Sequence, residues 1–529
     1  MRNFLITSSL LVLSACQLVP SAPEPETDYL TILHTNDNHG RFWRNEKGEY
    51  GMAARKTLID QLKAQAKAQG HAVILLSGGD INTGIPESDL QFAEPDFKGM
   101  RRLGYDAMAI GNHEFDNPRA ILDKQIAWAQ FPVLSANIID KQSAQPAYEP
   151  YTIIERQGLT IAVLGLTTVD TVKIANPKHV KGLEFISPLS ATKQWIPKIK
   201  QQYRPDITIA VTHMGHYHDA QHGINAAGDV TLARQLSPGT LDLIVGGHSQ
   251  EPVCVDKNGN ADSNFAPGKD CHPDQQNGVW IMQAHEWGKY VGKAVFKLSG
   301  DSKELVSYEL LPVNLKNKQG QTYTQAIAED PEMLAFLQPY QDKGQAQIAG
   351  AVGSVDSFLD GRRSTVRFQQ SNLADLIINA QMATVNADFG IISGGGIRDS
   401  IQAGDVSYKD VLKVHPFRNR ITYVDFSGKE LLDYLKVVSA FPPDSGAYMQ
   451  YHHLSFEGLG DQINAVKIAG EPLDLNKTYR MSINSYNAAG GDGYPKLNHL
   501  PGYTATDFTD AQALKDYLQQ HSPIKAVDL

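Results

Sequence analysis

The chain has 529 residues, room for two to four domains at about 150 residues each, so a single small domain is excluded. Lys plus Arg number 48 and Asp plus Glu 58, a net charge of −10 that carries no basic footprint for a nucleic-acid backbone. With 42% hydrophobic and 20% charged residues the chain is too apolar to be disordered, and it reads as a globular protein with a segment attached at its front.

That segment comes first in chain order. Arg2 gives a positive start, residues 4–15 are apolar, and Leu13-Ser14-Ala15-Cys16 sets small residues before a cysteine, which predicts an export signal over residues 1–15, too short to span a bilayer. The tetrapeptide resembles a bacterial lipobox. That resemblance implies cleavage before Cys16, a lipid on Cys16, and a protein anchored in the cell envelope; Gln17 in place of Asp resembles the choice that sorts to the outer membrane. Residues 16–28, with Pro20, Pro23 and Pro25, predict an extended tether. In an exported protein the remaining pair, Cys254 and Cys271, is best read as a disulfide, worth roughly 3 kcal/mol through loop closure.

Short apolar runs recur at 30–33, 73–76, 108–110, 160–166, 207–211 and 241–245, alternating with helical patterns such as 53–69 and 119–130, so the first half predicts an α/β domain over 29–329. Polar and glycine-rich residues follow nearly every run, where open α/β sheets place ligands. Residues 330–348 predict a helix, acidic at its start and carrying Pro339, within a linker at 330–349. A second α/β unit follows at 350–529, with helices expected at 373–385 and 429–439.

The run ends carry the chemistry. In order they offer Asp37-Asn38-His39, Gly79-Asp80, Gly111-Asn112-His113-Glu114, Thr212-His213 and Gly247-His248-Ser249-Gln250. Any one of these is more often a turn or a satisfied polar residue than a ligand, yet five in order after five separate strands are not easily delivered by chance. Carboxylate and amide oxygens mixed with imidazoles suit two divalent ions such as Zn, Mn, Co or Mg, and the absence of cysteine argues against a structural zinc cage. Two cations about 3.5 to 4 Å apart need a shared anion, and Asp80 is the natural bridge.

These groups resemble the calcineurin-like metallophosphoesterases, whose pattern is D-x-H, G-D, G-N-H, H and G-H-x-H. Leu33-His34-Thr35-Asn36-Asp37, the stretch from Ala109 to Asp116 and Gly490-Gly491-Asp492-Gly493-Tyr494 narrow the likeness to the bacterial periplasmic 5'-nucleotidases and UDP-sugar hydrolases, over nearly the whole chain from Tyr29. The resemblance implies a four-layer αββα sandwich and a C-terminal α/β nucleotide-binding domain joined by a hinge helix. It implies that Asp37, His39 and Gln250 hold one metal, that Asn112, His213 and His248 hold the other, and that Asp80 is shared. Gln250 departs from the superfamily's last histidine, and an amide oxygen is the weaker donor. His113 resembles the catalytic histidine, with Asp116 orienting its ring and favouring its protonated form.

In the second half Arg363 and Arg367 by themselves could be a solvated face, whereas Arg398 follows the Gly394-Gly395-Gly396 turn, where a backbone can approach an anion closely. The family likeness makes these three arginines the phosphate clamp, Phe417 and Tyr486 the aromatic walls around the base, Asn419 a polar contact to the base and Asp492 the acceptor for a ribose hydroxyl. Stacking of that kind is worth roughly 1 to 3 kcal/mol and tolerates any base. The expected protein is an exported monomeric nucleotide hydrolase acting on nucleoside monophosphates and on UDP-sugars. The alternatives are a non-catalytic nucleotide-binding lipoprotein and a cyclic-nucleotide phosphodiesterase.

Overall fold

A computed structural model describes residues 28–175, 179–217, 226–256, 258–417 and 419–528; the export signal, Cys16 and the tether up to residue 27 lie outside the described residues. Two six-stranded sheets build the N-terminal half. The first runs, in spatial order, Ser302–Pro312, Tyr290–Ser299, Asp28–Thr35, Ala72–Ser77, Ala107–Ala109 and Val133–Leu134, with the last four parallel. The second runs Asp274–Gln276, Val279–Met282, Leu243–Val245, Ile207–His213, Leu159–Thr167 and Tyr151–Arg156, parallel except at its two edges.

The period of two along each strand explains the layering. Leu30 and Ile32 of the first sheet meet Ile161, Val163, Ile209 and Val211 of the second in one dry core between the sheets. Leu33 and Leu75 point the other way, under the helices Met52–Ala68 and Glu94–Leu103, through Leu58, Ile59 and Phe97. Ala162, Leu164 and Ala210 face outward from the second sheet onto Ile196 and Ile199 of the helix Pro188–Tyr203 and onto Val230 and Ala233 of Asp229–Gln235. Both faces of both sheets are thus covered, giving four layers, helix, sheet, sheet, helix. The antiparallel hairpin 290–312 that flanks Asp28–Thr35 has no counterpart among the elements expected from the sequence.

The C-terminal half holds a five-stranded mixed sheet in the order Met449–His452, Phe389–Ser393, Thr478–Asn484, Arg420–Ser427 and Tyr503–Thr509. Asn372–Val385 and Asp510–His521 cover one face through Leu373, Ile377 and Leu514, and Gly428–Val438 covers the other through Leu431 and Leu435. Between the halves lies the helix Pro331–Ile348, capped by the Asp330 carboxylate on Met333 N at 2.7 Å and continuous through Pro339. Met333 and Leu337 are buried in the N-terminal core, whereas Ile348 packs against the C-terminal one. Most of the linker is therefore fastened to the first domain, and only its last turn reaches the second.

Among the described residues no helix is long and apolar enough to cross a membrane. Cys254 and Cys271 are bonded to each other, closing a loop of sequence separation 17 just beyond Gln250.

Candidate active site

The five groups expected at strand ends converge. The strands Asp28–Thr35, Ala72–Ser77, Ala107–Ala109, Ile207–His213 and Leu243–Val245 all deliver them at their C-terminal ends, along the seam between the two sheets. The side chains of Asp37, His39, Asp80, Asn112, His113 and His213 are buried there. Five of the expected ligands sit on left-handed backbone, with φ of 52° at Asp37, 49° at His39, 57° at Asp80, 79° at His248 and 55° at Gln250. L-residues adopt that conformation at a cost, of order 1 kcal/mol or more each, and such strain collects where a site must aim its side chains.

Two clusters of ligand atoms form, His39 with Asp80 and His113, and Asp80 with His213 and His248; Asp80 belongs to both. His213 Nδ1 donates to the Gly78 carbonyl at 2.7 Å, which leaves Nε2 aimed at Asp80 Oδ2, 2.8 Å away. His39 is fixed in the same way by the Thr83 carbonyl at 2.9 Å, and its Nε2 meets the Gln250 amide at 2.9 Å. Asp37 accepts from Asn36 Nδ2 at 2.6 Å and from the His248 amide. Asn112 Oδ1 is buried without a hydrogen-bond partner. An unpartnered buried amide oxygen is what a divalent cation would satisfy, and the oxygen and imidazole donors gathered around Asp80 fit one.

The electrostatics agree. Burial works to raise Asp80, but His213 and His113 outweigh it and hold its carboxyl far below the usual range. Burial likewise opposes protonation of His213, yet Asp80 beside it brings its pKa up to about 9. A field that binds protons this firmly favours cations equally, so metal and protons compete for it.

His113 is clamped from both sides. Its Nδ1 lies 2.5 Å from Asp116 Oδ2, and its Nε2 lies 3.3 Å from Asp507 Oδ2 of the C-terminal domain. Against the effect of burial, Asp116, Asp507 and Asp80 raise its pKa well above the ordinary histidine value. Thr83 Oγ1 donates to the same Asp116 oxygen.

Glu114 has a role that the sequence motif did not reveal. Its buried carboxylate accepts from the backbone N–H of Asp80 (3.2 Å), Ile81 (2.9 Å) and Gly111 (2.7 Å), tying the loop that bears Asp80 to the loop that bears Asn112. The only signal available in the sequence was its place inside Gly111-Asn112-His113-Glu114.

Six of the seven residues expected to bind substrate line one cavity of about 470 Å3 in the C-terminal domain: Arg367, Arg398, Phe417, Asn419, Tyr486 and Asp492. The seventh, Arg363, is exposed and pairs with Asp444 at 3.3 Å, outside that lining. Phe417 is 56% and Tyr486 48% exposed, so neither aromatic is a core residue. Arg398 stands 5.4 Å over the Phe417 ring, and Tyr486 donates to Asp492 Oδ1 at 3.2 Å. A side chain at Gly491 would lie 2.5 Å from the Tyr486 ring, so glycine is required for the ring to occupy its place. No residue of the cluster around Asp80 lines this cavity.

The sequence profile of the calcineurin-like phosphoesterases matches residues 30–252, and that of the 5'-nucleotidase C-terminal domain matches 349–499. The chain is 54% identical to a 5'-nucleotidase of Vibrio cholerae, over 99% of this chain and 96% of that one. It is 53% identical to the protein UshA of Escherichia coli K12, over 95% and 92%. The NAD nucleotidase of Haemophilus influenzae shares the fold, with a TM-score of 0.77 over 95% of this chain and 98% of that one at 21% identity. Two catalytic-fold and substrate-fold profiles in tandem, together with full-length relatives above half identity, place this chain in the 5'-nucleotidase family.

Proposed function

We propose that the protein is a metal-dependent 5'-nucleotidase that cleaves nucleoside 5'-phosphates to nucleoside and inorganic phosphate, and that it also cleaves UDP-sugars and other nucleotide phosphoanhydrides. Asp37, His39 and Gln250 would hold one divalent cation, Asn112, His213 and His248 a second, with Asp80 between them. When bound, such cations supply Lewis acidity at phosphoryl oxygens and bring the pKa of an attacking water toward neutrality.

The remaining work falls to the chain's own groups. His113, kept protonated and fixed in orientation by Asp116, donates from Nε2 to the phosphoryl oxygens as their negative charge grows. Glu114 keeps the Asp80 and Asn112 loops in register. Arg367 and Arg398 grip the substrate's anionic groups, Phe417 and Tyr486 enclose the base, Asn419 contacts its edge and Asp492 accepts from the ribose. Arg363 joins the clamp by exchanging its exposed partner Asp444 for phosphate.

The observation that carries this reading is Asp80, the one carboxylate common to both ligand clusters. Phosphate release from AMP, ATP and UDP-glucose, measured after chelation and after separate readdition of Mg, Mn, Co and Zn, tests it. Loss on chelation and recovery with at least one ion is expected; activity indifferent to prolonged chelation would overturn it.

The front segment supports export, with lipid attached at Cys16 and the monomer tethered to the outer membrane. Salvage is the fitting purpose, since charged nucleotides cross a membrane poorly and nucleosides readily. Palmitate labelling that disappears in Cys16→Ser is the expected outcome; labelling that persists would reject the anchor.

A further inference from the structure

Asp507 belongs to the C-terminal domain but lies in the N-terminal site. It stands in the strand Tyr503–Thr509 at an irregularity: Thr422 pairs with Ala505 and Arg420 with Thr509, so residues 506–508 face Ile421 alone. Such a bulge re-aims a side chain. Thr506 Oγ1 is bonded to the Ile421 carbonyl at 2.7 Å and Phe508 is buried in a small cluster with Ile421, which fixes the bulge on both sides of Asp507.

The carboxylate so presented is fully engaged. Oδ2 accepts from Asn112 Nδ2 at 2.7 Å and stands 3.3 Å from His113 Nε2, while Oδ1 accepts from Arg420 Nη1 at 2.5 Å. The carboxylate thus stands between the Arg420 guanidinium and the His113 imidazole. An anion therefore rests on the imidazole face that a phosphoryl oxygen must reach, and the cavity containing Phe417 and Tyr486 opens elsewhere, lined by the C-terminal domain alone.

We infer that Asp507 is a built-in stand-in for the substrate's phosphoryl group, a latch that holds the two domains in a resting arrangement and must be displaced before phosphate can reach His113. This rests on the reading of the site as a phosphoesterase centre. Inorganic phosphate and the phosphoryl end of a nucleotide both compete with the latch, and their apparent affinity is lowered by the fraction of molecules in which it is closed. Arg420 presents the carboxylate ready-ordered, so the resting contact costs little side-chain entropy.

The test uses the full chain with one spin label in each domain, at Lys67→Cys and Asp433→Cys. In Asp507→Ala, without ligand, a second interdomain distance should grow at the expense of the resting one, and saturating inorganic phosphate should move the unmutated protein the same way. Calorimetric titration of the metal-loaded protein with inorganic phosphate should show binding tightened by roughly tenfold, the scale of a lost charge-assisted hydrogen bond. Asp507→Asn keeps the shape without the charge and should fall between the two, which covers the case of an alanine variant that does not fold. Unchanged distances with unchanged phosphate affinity, or phosphate binding weakened by the substitution, would overturn the latch. If the distances and phosphate affinity shift as expected in a protein that hydrolyses no nucleotide, the latch stands and the proposed activity falls.

Discussion

Gly111→Ala is a small substitution with a large expected effect. The residue lies between the strand Ala107–Ala109 and Asn112, a proposed ligand, on ordinary backbone that alanine tolerates, so only space opposes the change. An added Cβ would lie 2.0 Å from Asp80 Oδ1 and 2.8 Å from Asp80 Cγ. A carbon and an oxygen not bonded to each other keep about 3.3 Å or more, so the two loops must part by more than about 1 Å. They cannot part freely, because Glu114 bonds Gly111 N and Asp80 N together. Metal sites tolerate about 0.2 Å in ligand distance, and an error near 1 Å in a catalytic constellation costs about a hundredfold in rate. We expect metal content after gel filtration to drop, AMP hydrolysis to fall at least about a hundredfold, and stability to fall by roughly 1 to 3 kcal/mol from overpacking. Gly396→Ala, whose nearest neighbours lie at 3.4 Å, is the control and should retain its metal. A Gly111→Ala protein with full metal and full activity would refute the argument that Asp80 is held at a fixed distance from this loop.

Asp116→Asn removes a negative charge that helps to keep His113 cationic, so kcat should fall roughly 10- to 100-fold with KM little changed, and the alkaline limb of the rate profile should move to lower pH; a profile that does not move contradicts the assignment. Arg398→Ala should raise KM for AMP by roughly tenfold or more while sparing kcat, and the reverse split would move Arg398 into the chemistry. Asp96 is a buried acid, bonded to Asn38 Nδ2 and Ser88 Oγ at 2.6 Å each, that burial pushes up to about 7. Its folded value exceeds its unfolded one, so the folded state binds the extra proton and stability is lost as pH rises from about 4 to 7, by up to roughly 4 kcal/mol. Asp96→Asn should flatten that slope in urea unfolding across the same range, and an unaltered slope would show that Asp96 does not carry it.

Much of the N-terminal fold was legible because its strands are buried on both faces and stand out as short apolar runs; the stretches 30–33, 160–166 and 207–211 lie within Asp28–Thr35, Leu159–Thr167 and Ile207–His213. The hairpin 290–312 was not legible. Its second strand alternates buried and exposed positions weakly, and its partner Asp28–Thr35 lies far away in the chain. The same contrast holds in the site. Asp37, Asp80 and His213 announce themselves as polar residues ending apolar runs, whereas Glu114 acts through backbone amides that no side-chain pattern records. Asp507 meets Asn112 and His113 only through the packing of one domain on another, at a sequence separation of 395 from Asn112. Phe417 and Tyr486 were singled out through family likeness; as residues they are ordinary hydrophobics until the fold leaves them half exposed around a cavity.

Two cations are proposed to share Asp80. Anomalous diffraction from crystals grown with manganese reads this directly. Two peaks per chain are predicted, one touching Asp37, His39 and Gln250, the other Asn112, His213 and His248, with Asp80 touching both. A single peak, or two peaks with Asp80 on neither, would contradict the account.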